Sequence, residues 1–323
     1  TPGLSGSMSV LETGRHKDAD LNKLQSLVLL ALPIIAGCAA VTPNLPAVTE
    51  QPTGNSDTGR IVWHDLITST PAESRKFYGE LFGWTFEPLD VLGANYTLIR
   101  HRGRLIGGMV DQNRLPTSAD ISQWVVVLSV ADVEQATRSL ADAGGTVFTP
   151  PPSLGERGAI RVVADPPGGV LALLQTDGSD PVDDGAEPLV GGFLWDELWA
   201  IDPADAAAFY QRLAAFDLEQ VEAGPEEAPV AYKVLLSQDV PRLGIRRRPA
   251  QDLPPTWASY LRVDGEAGLN DIVSRTEALG GQVLMPATRR PGGGYVAVIA
   301  GPSGAGIALQ TWPLPDHLAE TAG

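Results

Sequence analysis

Cysteine is almost missing from this chain: Cys38 stands alone among 323 residues, so no intramolecular disulfide is possible. Positive charge is scarce too. Twenty-three Lys and Arg face 39 Asp and Glu, and the formal net charge of −16 repels a phosphate backbone, which excludes nucleic acid as a natural partner. The Arg246-Arg247-Arg248 run reads as a solvated strand end. Long apolar runs are absent as well. The 11-residue stretch from Leu27 to Gly37 falls short of the roughly 20 residues that span a bilayer. No nucleophile motif or phosphate loop is visible: Gly292-Gly293-Gly294 is a bare turn, and Ser303 lacks an evident base.

What is present begins with that short apolar stretch. Arg15, His16, Lys17 and Lys23 precede it and small residues close it, the pattern of a secretory signal. Ile35-Ala36-Gly37-Cys38 resembles the bacterial lipobox, which implies acylation of Cys38 as the first mature residue. Residues 1–37 are thus expected to be a signal peptide with an upstream extension, the natural start falling at Met8. Residues 38–59 follow as a lipidated tether too polar to pack. The expected location is the cell envelope, lipid-anchored on the extracytoplasmic side of a bacterial membrane.

Thirty-five Gly and 27 Pro point to many turns and short strands, and the length suits two domains, each with its own core. The remainder repeats itself. Trp63 recurs as Trp195, Phe77-Tyr78 as Phe209-Tyr210, Trp124 as Trp257, and Gly144-Gly145 as Gly280-Gly281, at spacings of 132 to 136 residues. Each half reads as strand, helix and several strands, twice over. Thr70-Pro71-Ala72-Glu73 and Asp202-Pro203-Ala204-Asp205 look like helix starts, with Thr70 as cap, and Asp132 is placed to cap a further helix. The boundaries expected are 60–176 for the first domain, 177–190 for an acidic linker, 191–313 for the second domain and 314–323 for a tail.

The ordered motifs, Trp-x-Asp/Glu-Leu, Phe-Tyr, Leu81 to Trp84, Gly-Gly and Asp165-Pro166-Pro167-Gly168, are together similar to those of the vicinal oxygen chelate superfamily, which includes glyoxalase I, bleomycin-resistance proteins and extradiol dioxygenases. The resemblance covers residues 60 to 312 and implies an α+β fold: two tandem glyoxalase-like domains, each of two βαβββ units curled into a cupped mixed sheet. The second half departs from the pattern at Ala215-Phe216 and at Gly301. The resemblance also implies a divalent metal held by His and Glu. The corresponding positions carry Trp63, Gly108, Val125 and Ala172 in the first half and Trp195, Gly244, Ala258 and Ala308 in the second, so no metal and no cofactor is expected. His64 reads as a satisfied polar residue between sheet and helix, and His101 and His317 as exposed.

Asp65 and Glu197 each follow a Trp by two residues on the same strand face. Each is either a carboxylate beside an indole wall, able to take a proton or hold a cationic ligand, or a structural acid at a sheet seam. Trp63, Trp195, Trp124 and Trp257 are candidates to stack on a flat ligand or to pack the core, and Tyr96 and Tyr232 to flank the cups or to serve as plain strand residues. Three functions stay open: a metal-free module binding a small aromatic or amphipathic molecule, as bleomycin-resistance proteins bind without chemistry; a lyase, isomerase or hydrolase using Asp65 or Glu197; and a structural envelope protein. Two domains in one chain can pair as separate subunits do, so a pseudo-symmetric monomer is expected.

Overall fold

The computed structural model describes residues 44–91, 94–149, 154–183, 185–223, 230–290 and 293–311. Cys38, the apolar stretch before it and His317 lie outside the described residues. No helix among the described residues is long and apolar enough to cross a membrane.

The first half runs β1 (Ile61–Thr68), α1 (Pro71–Phe82), β2 (Trp84–Val91), β3 (Ala94–His101), β4 (Arg104–Asp111), β5 (Gln123–Ser129), α2 (Val133–Asp142), β6 (Thr146–Val147), β7 (Ala159–Ala164) and β8 (Val170–Gln175). The second runs β9 (Phe193–Ala200), α3 (Pro203–Ala214), β10 (Asp217–Ala223), β11 (Val230–Ser237), β12 (Val240–Arg247), β13 (Thr256–Val263), α4 (Gly265–Thr276), β14 (Gln282–Arg289), β15 (Tyr295–Ala300) and β16 (Gly306–Thr311). Each half forms one eight-stranded sheet, ordered β2-β3-β4-β1-β5-β8-β7-β6 and β10-β11-β12-β9-β13-β16-β15-β14. The two βαβββ units of a half join where β1 meets β5 antiparallel, or β9 meets β13. The fold is α+β, with two tandem glyoxalase-like domains.

Local chemistry explains the helices. Pro71 opens α1, where its missing N–H is no loss, and Gly83 closes it at φ 69°, a left-handed conformation that suits glycine. Thr70 does not cap with its side chain as expected. Instead the Thr68 hydroxyl accepts from the Thr70 amide at 3.1 Å and pairs with the Ser74 hydroxyl at 2.9 Å. Asp132 and Asp202 do cap, accepting from Gln135 N at 2.9 Å and from Ala204 N at 2.8 Å.

The core is not two separate cores. One apolar cluster joins Val126, Leu128 and Leu140 of the first half to Leu198, Phe209 and Trp257 of the second. Another joins Phe77, Tyr78 and Trp84 to Leu261, Leu269 and Ile299. The helices lie between the two sheets, with α1 against α4 and α2 against α3. The expectation of one core per domain is therefore corrected: each helix is sheltered by both halves.

The N-terminal segment is also corrected. Residues 44–59 were expected to be too polar to pack, yet Leu45 and Val48 are buried in the concave face of the first sheet beside Trp63, Tyr96 and Leu98. Backbone bonds Leu45 N to Leu154 O (2.9 Å) and Arg157 N to Leu45 O (3.2 Å) hold this strap down. Further along, Asp57 N donates to Asp180 at 2.6 Å, and Ser129 donates to the same buried carboxylate at 2.6 Å, so the acidic linker packs against strap and sheet.

Candidate functional site: two unequal cups

Each sheet has a concave face directed away from the shared core. On the first, Trp63 Nε1 donates to Asp65 Oδ1 at 3.0 Å and to the Tyr96 hydroxyl at 2.9 Å, and Tyr96 donates to Asp65. Arg157 completes the group. Only 1% exposed, it donates to the Tyr96 hydroxyl at 2.6 Å and to Pro46 O at 3.1 Å, with its guanidinium 4.4 Å above the Trp63 ring. A cation on an indole face and a charge-assisted hydrogen bond hold this plug, while its Nη2 is buried without an acceptor. Burial pushes the Tyr96 hydroxyl far above its ordinary pKa, and the Asp65 charge adds to that, while Arg157 opposes it.

The second cup repeats the Trp–Tyr contact, Trp195 Nε1 donating to Tyr232 at 2.8 Å, but departs from the first elsewhere. Glu197, 1% exposed, accepts from Trp199 Nε1 at 2.7 Å and from the Tyr260 hydroxyl at 3.0 Å, and Arg246 Nε stands 3.9 Å away. Strand register equates the two cups position by position. Ile67 and Val110 lie opposite each other on β1 and β4, where Trp199 and Arg246 lie on β9 and β12. Val127 and Ala172 pair on β5 and β8, where Tyr260 and Ala308 pair on β13 and β16; two residues on, Leu174 answers to Gln310. Four aliphatic positions of the first cup thus carry Trp, Arg, Tyr and Gln in the second. The strap has no described counterpart over the second cup, and Gly293 stands where Arg157 would. Trp195, Trp199, Val296 and Val298 are left partly exposed there.

Asp65, Glu197, Trp63, Trp195, Tyr96 and Tyr232 all lie on cup faces. Trp124 and Trp257 do not. Successive residues of a strand face opposite sides, and both indoles point with the even-numbered neighbours of Trp124 into the shared core. There Trp124 Nε1 donates to the Tyr78 hydroxyl at 3.1 Å, and Trp257 meets Tyr210 edge-on at 5.4 Å. His64 is satisfied as expected, though its partner lies across the two sheets: Nε2 faces Asp196 at 3.0 Å, and the ring stacks on Phe193 at 3.5 Å. His101 is 4% exposed, not an exposed residue, and its Nε2 bonds Val190 O at 2.9 Å. Of the expected solvated strand end, Arg247 is exposed and Arg246 is about one third exposed, with its Nε 3.9 Å from Glu197. Arg157 and Arg246 were missed because a single arginine on a strand or loop carries no sequence mark of the face it takes.

The fold's usual divalent ion does not suit these cups. Trp63, Gly108, Val125 and Ala172, like Trp195, Gly244, Ala258 and Ala308, offer no metal donor. At Gly108 and Gly244 the room for a side chain is taken: a Cβ would lie 1.8 Å from the Tyr96 hydroxyl and 1.9 Å from that of Tyr232. No group of three or more His, Cys, Asp or Glu placed to hold an ion occurs among the described residues.

Residues 62–174 match the family model of the glyoxalase-like domain, which lies within the first half. Among curated proteins, "Putative glyoxylase CFP32" of Mycobacterium tuberculosis is 27% identical over 251 residues, covering 75% of this chain and 91% of that protein. The anthracycline biosynthesis protein DauV of Streptomyces sp. (strain C5) is 29% identical over 272 residues, covering 78% of this chain and 92% of DauV. Among solved structures, the Mn(II)-bound glyoxalase from Novosphingobium aromaticivorans superposes with a TM-score of 0.53 at 14% identity, covering 80% of this chain and 83% of that one. The 2,2',3-trihydroxybiphenyl 1,2-dioxygenase of Sphingomonas wittichii gives 0.52 at 17% identity, covering 80% and 91%. These matches support the vicinal oxygen chelate superfamily, and at such identities the structural ones speak for the fold.

Proposed function

We propose that this chain is a metal-free binding protein of glyoxalase-like fold, which takes a small aromatic or amphipathic molecule in its second cup. The observation that carries this reading is the inequality of the cups. The first is filled by its own chain, through Leu45, Val48 and Arg157, while the second keeps two partly exposed indoles beside polar groups. A largely apolar concavity with a few convergent polar groups is the usual form of a ligand site. Relatives named for anthracycline biosynthesis agree with a flat aromatic ligand. The chain acts as a pseudo-symmetric monomer, tethered through lipid on Cys38 outside a bacterial membrane.

A thermal-shift screen of small aromatic compounds tests the binding. At least one compound raises the melting temperature, and the shift disappears in Trp199→Ile, which installs the first cup's residue. No shift from any compound favours a structural envelope protein instead. Radiolabelled fatty acid incorporated by the wild type and lost in Cys38→Ser tests the anchor.

An enzymatic reading rests on Glu197, a buried carboxylate on the face of the second cup. Turnover of a bound compound that stops in Glu197→Gln would establish the enzyme.

A further inference from the structure

We infer that the second cup selects ligands carrying an anionic group on a flat apolar body, with Arg246 and Gln310 reading the anion. This rests on the proposed binding in that cup and narrows it to a chemical class.

Two donors there lack partners. Gln310 is 2% exposed; its Oε1 accepts from Arg290 Nη1, while its Nε2 is buried with no acceptor. Arg246 Nε is likewise buried without an acceptor, since Glu197 at 3.9 Å is too far for a hydrogen bond. Buried polar groups are nearly always satisfied, so a pair of orphaned donors on one concave face marks where an acceptor belongs. Both lie on the cup face. Gln310 is two residues from Ala308, which packs with Tyr260, and Leu309 between them points into the shared core. Arg246 lies opposite Trp199 in register.

Charge decides the sign of the missing group. Arg246 and Arg290 both act on the Tyr260 hydroxyl, and Glu197 is the carboxylate bonded to it, so two guanidinium groups meet one carboxylate. That surplus of positive charge sits in a chain of net charge −16, and it is absent where the first cup has Val110 and Leu174. A carboxylate, phenolate or sulfonate would satisfy both free donors by charge-assisted hydrogen bonds, while Trp195 and Trp199 flank the ring.

The test is calorimetric titration of the full chain with 2-naphthoate and with 2-naphthamide, which share a ring system and differ in charge. The expected result is naphthoate binding about tenfold tighter or more, the size of one charge-assisted contact. Arg246→Val and Gln310→Leu each remove most of that preference, lowering the affinity for the carboxylate by more than that for the amide. Glu197→Gln, which removes the opposing charge, tightens naphthoate. If Arg246→Val does not fold, Arg246→Gln keeps a polar though shorter side chain without charge and reads the same preference. Equal affinity for the two compounds overturns the anion inference and leaves the binding reading standing. Binding of neither overturns both, and a preference that survives in Arg246→Gln and in Gln310→Leu overturns the assignment of residues.

Discussion

His64 and Asp196, which occupy the same place in the two repeats, face each other across the domain boundary with Nε2 at 3.0 and 3.1 Å from the two carboxylate oxygens. Ser259 donates to the same carboxylate at 2.6 Å. Removing one member of such a buried pair leaves the other without its partner. His64→Ala is expected to cost about 3 kcal/mol of stability. Urea unfolding checks it, and a double-mutant cycle with Asp196→Ala should return a coupling well above experimental error; independent costs would mean the pair contributes little.

The two glycines under the tyrosine hydroxyls give a second prediction. Gly108→Ala and Gly244→Ala each force a methyl into space already held by Tyr96 or Tyr232. Each is expected to lower stability by about 1–3 kcal/mol, the usual penalty of overpacking. For Gly108→Ala, Tyr96→Leu in the same chain should recover part of the loss. Denaturation midpoints of the three proteins decide it.

Acid sensitivity should arise in part at His101. Burial disfavours its charged form and holds its pKa below the ordinary 6.5, with nearby Arg102 adding to the effect. The unfolded chain therefore binds the proton first. Stability from this residue is complete above about 6.5 and is lost as pH falls through the lower folded value. Urea midpoints measured from pH 7.5 down to about 5 should decline, and His101→Gln should flatten the slope. An unchanged slope would remove His101 from the account.

Metal analysis gives the fourth prediction. Protein stripped and reloaded with Mn, Fe, Ni or Zn should retain none in stoichiometric amount, and a chelator should leave its melting temperature unchanged. One tightly held ion per domain would contradict the reading of both cups.

Repeat spacing makes the two-domain plan legible in the sequence alone, because Trp63/Trp195 and Phe77/Phe209 recur in order with their helix starts. The cup acids were legible from the two-residue step after each Trp. The direction of Trp124 was not, because β5 is apolar on both faces and shows no alternation to tell them apart. The strap was hidden for a different reason. Leu45 and Val48 are isolated apolar residues in a polar stretch, and two side chains without periodicity give no signal. The His64–Asp196 pair needed the arrangement of the halves: near a two-fold axis, equivalent positions meet each other, and no single repeat records that.

The intermingled clusters between the sheets bear on how the molecule would respond to a cut in the linker. A protease acting between the halves would free neither, since Phe77 and Leu261, or Leu128 and Phe209, would still hold each other out of water. The nicked product would migrate as one particle under native conditions and as two bands after denaturation. Either fragment produced alone would expose half of a greasy seam and aggregate, unless its missing mate were supplied in the same cell.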